Sequence, residues 1–375
     1  MKKNAFTTLA MTGMGLAAMA GAQAQSSVSV YGIIDTSLTY TSKVGSGNGS
    51  RLSIDSGDLA TSRIGFKGME DLGGGWSAHF HLENGFNADN GSLGTADTLF
   101  DRKSVVGLSG GFGTVTIGRQ TDYLEDIGAR YTSAQTFGGN GVKGGHFNNL
   151  DRTAGGARTS NSVRYDTANL SGFTGSLFYG FGEVAGKTSA GQAFGLAANY
   201  AAGAFGIGAG YYQSKLAADA LPARAGQANL KTFTIGTSYQ FGPAKLYAAW
   251  SQSRQPAAPA VSSTGLVNIT TATKSNVFDA GVSYAVTGNF FLLGSAIHDR
   301  ANVKRVTAGK TQVSTTQLNV GVDYYLSKRT DLYALYTRQR ANGVINPGVI
   351  NAAYSSSPAD DSSQNVLRLG VRHKF

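Results

Sequence analysis

Stretches in which every second residue is apolar recur along this chain and limit its fold more tightly than any motif does. Within residues 76–83, Trp76, Ala78, Phe80 and Leu82 alternate with Ser77, His79, His81 and Glu83. Within 317–324, Leu318, Val320, Val322 and Tyr324 oppose Gln317, Asn319, Gly321 and Asp323. Residues 232–240 set Phe233, Ile235 and Tyr239 against Thr, Gly, Ser and Gln. Successive side chains of a strand point to opposite faces, whereas one face of a helix returns every three or four residues, so these segments are strands. Sixteen can be marked, starting near Val28, Thr61, Trp76, Phe100, Gly113, Asn161, Phe173, Gln192, Phe205, Leu230, Ala244, Ser275, Phe290, Gln317, Thr330 and Asn365. Short connections (70–75, 109–113, 201–204, 241–243, 327–329) alternate with long ones (41–60, 84–98, 253–274, 299–316, 339–364). Tight turns at one rim and long loops at the other are the rhythm of an antiparallel barrel.

Which medium each face meets follows from composition. Of 375 residues, 52 are glycine, none is cysteine, and 14% are charged against 41% hydrophobic. Lack of cysteine excludes a disulfide scaffold and thiol-based metal or redox sites. A soluble sandwich would need a second sheet on its apolar face, and sixteen meandering strands offer none. In a membrane the geometry inverts: apolar side chains meet lipid, polar ones line water, and closure leaves no unpaired edge. Sixteen strands enclose a bore wide enough for water. Outward-phase aromatics such as Tyr40, Phe66, Phe173, Phe205, Tyr239, Trp250, Tyr284 and Tyr336 fall near strand ends, where rings anchor at the interface. Inward glycines 206, 208 and 210 keep the wall thin there.

The first segment reads as an address. Met1-Lys2-Lys3 precedes an uncharged, small-residue stretch ending in Ala22-Gln23-Ala24, a signal-peptidase pattern. The expected domains are therefore a signal peptide, 1–24, and a barrel, 25–375, starting at Gln25 or alternatively Ser26. Loss of Lys2 and Lys3 lowers the net charge from +10 to +8.

One connection, about 119–160, is far longer than an ordinary loop and carries no strand pattern. Asp122, Glu125 and Asp126 stand at the start of a predicted helical turn or two, followed by a glycine-rich part with Lys143, His146, Asp151 and Arg152. Folded into the bore, this loop would restrict it. Arg63 and Lys67 share the inward phase of their strand, as do Arg158 and Arg164 on theirs, while Arg102 lies where alternation is poor. Cations on the wall facing acids on the loop would set a transverse field in a narrow, low-dielectric gap, with a modest anion preference. The fold expectation is all-β: a sixteen-stranded antiparallel transmembrane barrel with a long third extracellular loop folded inward.

At this point the chain resembles the trimeric general porins of Gram-negative outer membranes, in the neisserial-type branch of β-proteobacteria. The resemblance spans the expected mature chain and rests on Ser26-Ser27-Val28-Ser29-Val30-Tyr31-Gly32, Ser62-Arg63-Ile64-Gly65-Phe66-Lys67-Gly68, Glu70-Asp71-Leu72-Gly73-Gly74-Gly75, Leu82-Glu83-Asn84-Gly85-Phe86-Asn87, Phe112-Gly113-Thr114-Val115-Thr116-Ile117-Gly118-Arg119-Gln120, Asn161-Ser162-Val163-Arg164-Tyr165-Asp166 and the end, Gly370-Val371-Arg372-His373-Lys374-Phe375. It implies a homotrimer in contact with outer-membrane lipid and lipopolysaccharide, passing inorganic ions and small hydrophilic solutes, and no cofactor. It also implies that Arg63 and Arg102 are basic wall residues, with Arg158 or Arg164 as the third. Glu83 would be a lumen carboxylate, and Asp122, Glu125 and Asp126 the loop acids. Phe375 resembles the terminal aromatic that barrel-assembly machinery reads. Around Arg102, Asp101 stands for the usual glycine and Lys103 for the usual glutamine.

His79 and His81 depart from the family, which more often has an apolar and an amide residue there. A His-x-His strand pair can hold a metal, but no further ligand is evident and no metal site is expected. The reading favoured is a pH-sensitive lumen pair that gains charge near pH ~6.5 and raises anion preference. No enzyme is expected: no Gly-x-Ser-x-Gly elbow falls on a strand-to-helix turn, His-Glu-x-x-His is absent, and residues 185–188 lack the leading glycine of a phosphate loop. Basic residues are scattered, which argues against nucleic acid. The rival readings are a substrate-specific channel and a structural or adhesive barrel with a plugged lumen.

Overall fold

The computed structural model describes residues 27–44, 49–142, 144–146, 149–215, 229–255, 272–305, 309–342 and 363–375. The expected signal peptide, the start at Gln25 or Ser26, Lys143 and most of the long connections 253–274 and 339–364 lie outside the described residues.

Seventeen strands run in order: β1 (Ser27–Val44), β2 (Gly49–Ser56), β3 (Arg63–Gly73), β4 (Trp76–Gly85), β5 (Lys103–Gly110), β6 (Gly113–Thr121), β7 (Arg158–Asp166), β8 (Phe173–Gly180), β9 (Ala193–Ala202), β10 (Phe205–Ser214), β11 (Lys231–Phe241), β12 (Ala244–Arg254), β13 (Ala272–Ala285), β14 (Phe290–Arg305), β15 (Gly309–Tyr325), β16 (Thr330–Asn342) and β17 (Ser363–Lys374). From β3 onward each pairs antiparallel with the next. β17 returns to β1, with Ile33 opposite Lys374 and Thr41 opposite Val366, so the sheet closes. β2 and β3 both pair with β1, β2 against its upper half and β3 against Ser27–Ile33. They form one interrupted stave, and the barrel has sixteen. Among the described residues no helix is long and apolar enough to cross a membrane; strands do the crossing.

The expected loop 41–60 needs correction, since it contains β2. Leu52 and Ile54 point outward at 67% and 55% exposure, while Asp55 turns inward. The break after it is held by a remote side chain. Asp35 accepts hydrogen bonds from the amides of Leu59 (2.9 Å) and Ala60, and Ser62 Oγ accepts from the Asp35 amide at 3.1 Å.

Outer faces are apolar, as alternation requires: Val30, Val106, Phe233, Leu318, Val320 and Leu369 are all exposed. Inner faces carry buried Thr234, Ser251, Gln317, Asn319 and Thr337. One sector of the inner wall is apolar instead, with Phe178, Tyr212, Val277, Leu293, Ile297, Tyr333 and Leu335 buried. It is covered by the described part of the connection between β6 and β7, which holds two helices, α1 (Tyr123–Tyr131) and α2 (Ala134–Val142), the latter kinked at Gly138, φ 69°. Leu124, Ile127 and Tyr131 of α1 join one internal core, and Phe137 and Val142 of α2 join another. Burying a side chain of this size stabilises by about 1.5–3 kcal/mol. The inner wall under α1 is flat because it is glycine: a Cβ on Gly236 would stand 2.5 Å from Tyr131 Cβ, and one on Gly210 would stand 2.8 Å from Leu124 Cδ2.

Polar contacts fix the same segment. Asp122 caps α1 by accepting from the Leu124 amide at 2.8 Å. Gln317 donates to the Gly141 carbonyl at 2.8 Å, and Asn140 donates to the Gly57 carbonyl at 2.7 Å. His146 bridges Asp151 (2.8 Å) and Asp279 on β13 (3.3 Å), and Asp279 also accepts from the Ser133 amide at 2.8 Å.

Candidate functional site

The wall opposite the packed sector, from β3 to β7, carries the charge. Arg63 opens β3 on the inward phase and donates from Nε to its neighbour Thr61 O at 2.9 Å. Glu83 sits inward on β4, opposite Gly65, where a Cβ would meet the Tyr31 ring at 2.5 Å. The missing side chain lets the Tyr31 ring lie across the wall and its hydroxyl donate to Glu83 Oε2 at 2.6 Å. That hydroxyl has one proton, so toward His81 Nε2, its second partner, it acts as acceptor. Arg102 donates from Nε to Glu83 Oε1 at 2.6 Å, and Arg63 Nη1 lies 3.9 Å from the same oxygen. Arg158 donates to the Arg102 carbonyl at 2.9 Å and places Nη2 3.9 Å from Glu125 Oε1. Arg63, Arg102 and Arg158 thus stand side by side on the wall, with Glu83 between the first two and Glu125 reaching across from α1. Three guanidiniums meet two carboxylates, a local surplus of one positive charge.

Arg164 belongs to a different arrangement. It binds Asp126 of α1 at 2.6 Å and Asp166 at 2.9 Å and stacks near Tyr123. This ties the wall to α1. Of the two candidates for the third basic residue, Arg158 lies in the cluster and Arg164 is a strut. Below the cluster is a cavity of about 230 Å³ lined by His79, His81, Lys103, Asp126, Arg164 and Asp166. Lys67 is exposed on the inward phase, its Nζ 5.3 Å from the Tyr31 ring centre.

Asp122 differs from its expected place on the channel face. It is 2% exposed, occupied in capping α1 and in an ion pair with the equally buried Arg152, whose guanidinium lies 4.0 Å over the Tyr212 ring. An acid at a helix start serves as a cap whether or not it faces water, and Arg152 provides the partner that decides which. Phe375 is remote from the charged cluster: its amide and carbonyl pair with Gly32 at 3.1 Å each, sealing the seam between β17 and β1.

Electrostatics of the loop follow its burial. Burial pushes the Glu125 carboxyl up, against the pull of Arg158 and Arg102. For His146, burial opposes the charge, but Asp151 and Asp279 outweigh it and raise the imidazole to about 10. Burial would raise Asp151 too, yet His146 and two hydroxyl donors, Ser251 and Thr153, hold it below the usual carboxylate range. Asp279 was not picked out in the sequence, and Tyr31, Lys103, His146 and Asp151 were named there without a role in the site. Lys103 carried a signal for one, an inward parity shared with Val105.

A closed sixteen-stave barrel with an apolar exterior, a polar bore and a charged gap beside an internal loop defines a class: water-filled channels of the outer membrane. Residues 8–344 match the family described as Gram-negative porin, and the chain belongs to that family. Outer membrane porin protein 32 of Delftia acidovorans is 30% identical over 372 residues, covering 96% of this chain and 97% of that one. The major outer membrane protein P.IB of Neisseria gonorrhoeae is 31% identical over 218 residues, 56% of this chain and 57% of its own. Among solved structures, an anion-selective porin from Comamonas acidovorans superimposes with a TM-score of 0.70 at 26% identity, covering 94% of this chain and all of that one. The protein is a general diffusion porin of the Gram-negative outer membrane, a channel rather than an enzyme.

Proposed function

We propose that this porin favours anions modestly, and that Arg63, Arg102 and Arg158, facing Glu83 and Glu125, set the preference. The observation that carries the reading is the surplus of one guanidinium in a gap walled by protein, where a fixed charge acts on passing ions more strongly than in open water. Similarity to a porin named anion-selective supports it. Reversal potential across a planar bilayer in a potassium chloride gradient is the test. Arg102→Gln removes a positive charge and shifts the potential toward cation preference, and Glu83→Gln shifts it toward anions. Unchanged potentials in both variants would overturn the assignment. A solute that blocks conductance saturably at low concentration would instead point to a substrate-specific channel.

His79 and His81 line the cavity below the gap together with Lys103 and Arg164. Protons they take up on acidification add positive charge there and raise anion preference. The reversal potential then differs between pH 8 and pH 4, and the His79→Ala/His81→Ala variant loses the difference. An equal difference in that variant would remove the pair from the account. The functional unit is a homotrimer set in outer-membrane lipid and lipopolysaccharide; the family resemblance supports it, and chemical cross-linking in membranes checks it. Residues 1–24 are removed on export, giving a chain that starts at Gln25, which the intact mass of the purified protein tests.

A further inference from the structure

One cation of the charged wall stands apart from the others. Arg63 and Arg102 share Glu83, Arg158 faces Glu125, and Arg164 holds Asp126 and Asp166. Lys103, at the start of β5, is inward and half-buried, yet among the described residues it forms no ion pair or hydrogen bond. Register alone would give it a partner, because Glu83 stands directly opposite it on β4, and opposed side chains on one face are close enough to pair. The reason lies on the other side of Glu83. One carboxylate oxygen takes Arg102 Nε at 2.6 Å, and the other takes the Tyr31 hydroxyl at 2.6 Å. Both oxygens are thereby drawn toward Arg102 and β1, and the Lys103 ammonium is left to the cavity below the gap. Tyr31 reaches this position only because Gly65 leaves room for its ring.

What that charge does follows from its surroundings. The other charged residues lining the cavity are Arg164, Asp126 and Asp166, so with His79 and His81 neutral two cations meet two acids and the net charge is zero. Without Lys103 the cavity would carry one negative charge. The gap above it has a surplus of one guanidinium, and a passing ion meets the two regions in series. An anion admitted by the gap would then face a repulsive region directly beneath it, and the two effects would cancel. At ~7 Å in water a unit charge changes the energy of an ion by about RT, and a low-dielectric wall strengthens the effect. One lysine is therefore enough to decide whether the preference set in the gap survives the rest of the path.

We propose that Lys103 is a specificity-determining residue, its unpaired ammonium keeping the path below the gap open to anions, and that Tyr31 is the positioning residue that holds Glu83 away from it. The proposal rests on the anion reading and deepens it. Reversal potentials of the purified full-length protein in planar bilayers, in a potassium chloride gradient at pH 8 where free histidine is neutral, test it. Lys103→Gln is expected to lower the chloride-to-potassium permeability ratio roughly threefold or more, and Lys103→Arg to keep the wild-type ratio. Tyr31→Phe removes no charge, but it frees one oxygen of Glu83 for Lys103, so it lowers the ratio as well and adds nothing in a Lys103→Gln background. Because the chain has no cysteine, Lys103→Cys separates charge from folding within one inserted channel. A thiol reagent that attaches an ammonium group restores the anion preference, and one that attaches a sulfonate lowers it further. An unchanged ratio in Lys103→Gln, or the same response of Lys103→Cys to both reagents, would overturn the role of Lys103. An unchanged ratio in Tyr31→Phe would remove Tyr31 from it. Arg102→Gln distinguishes the two failures: a shift there with none in Lys103→Gln sinks this proposal alone, and a wild type with no chloride preference sinks the anion reading with it.

Discussion

At the scale of single residues, the decisive contrast is between charges that face water and charges that hold the loop. Arg102 and Glu83 line the gap, whereas His146, Asp151 and Asp279 are fully enclosed and act as a rivet between the loop, at His146 and Asp151, and β13. Because His146 is raised to about 10 in the folded protein against 6.5 for the free side chain, its charged form stabilises the docked loop. That contribution is whole below about 6.5, declines above it, and is gone once pH passes about 10. Asp151, shifted the other way, contributes above its ordinary range and loses its part in acid. Open-channel current noise, which reports loop excursions, should therefore rise between pH 7 and pH 10 in the wild type. In His146→Gln it should be high throughout and indifferent to pH over that window. Parallel pH curves for the two proteins would rule the rivet out. The same contrast explains what residue types alone could not disclose. Asp122, Glu125 and Asp126 lie within five positions of one another, yet one is a buried cap paired to Arg152, one reaches toward Arg158, and one ties down Arg164.

At the scale of elements, alternation is readable where one medium meets each face and unreadable where both faces are apolar. β11 shows Phe233 and Ile235 against Thr232 and Thr234, and its start was expected within one residue of where it lies. In β14, Leu292 faces out and Leu293 faces the internal core, so the period vanishes although the strand does not. Nothing local marks Leu293 and Leu335 as the seat of α2; that follows only from the loop's return. β2 was missed for another reason. It is short, begins with Gly49-Ser50, and ends where Asp35, on a different strand, captures the backbone. The glycines of β10 and β11 were legible as thin wall, and α1 is what lies against them. Gly236 gives the sharpest test. Its Cβ would overlap Tyr131 Cβ, and a valine adds two methyls to that overlap, an overpacking that costs about 1–3 kcal/mol. Gly236→Val should leave heat-modifiable barrel migration on gels intact while lowering conductance and raising open-channel noise, because α1 is pushed off its wall toward the charged gap. A variant with wild-type conductance would show that α1 does not limit the bore.

For the whole molecule, function depends on a closure that joins the two ends of the strand order. β1 and β17 are separated by nearly the full chain, so their pairing forms late and carries a large loop-closure entropy. The last residue is built into that seam. Phe375 exchanges two 3.1 Å backbone hydrogen bonds with Gly32, and its ring occupies the space a Gly32 side chain would take. Two roles for the terminal aromatic are therefore separable: recognition by assembly machinery in the cell, and packing at the seam, which needs no machinery. Gly32→Val preserves Phe375 as a signal but removes its seat. If the seam role holds, refolding of the purified chain from denaturant into lipid vesicles should be slower and less complete for Gly32→Val, with the loss similar for Phe375→Ala. The double variant should be little worse than either single change, since both remove one contact. Vesicle refolding at wild-type rate for Gly32→Val, alongside poor assembly of Phe375→Ala in cells, would confine Phe375 to recognition and leave closure to the β1–β17 ladder alone.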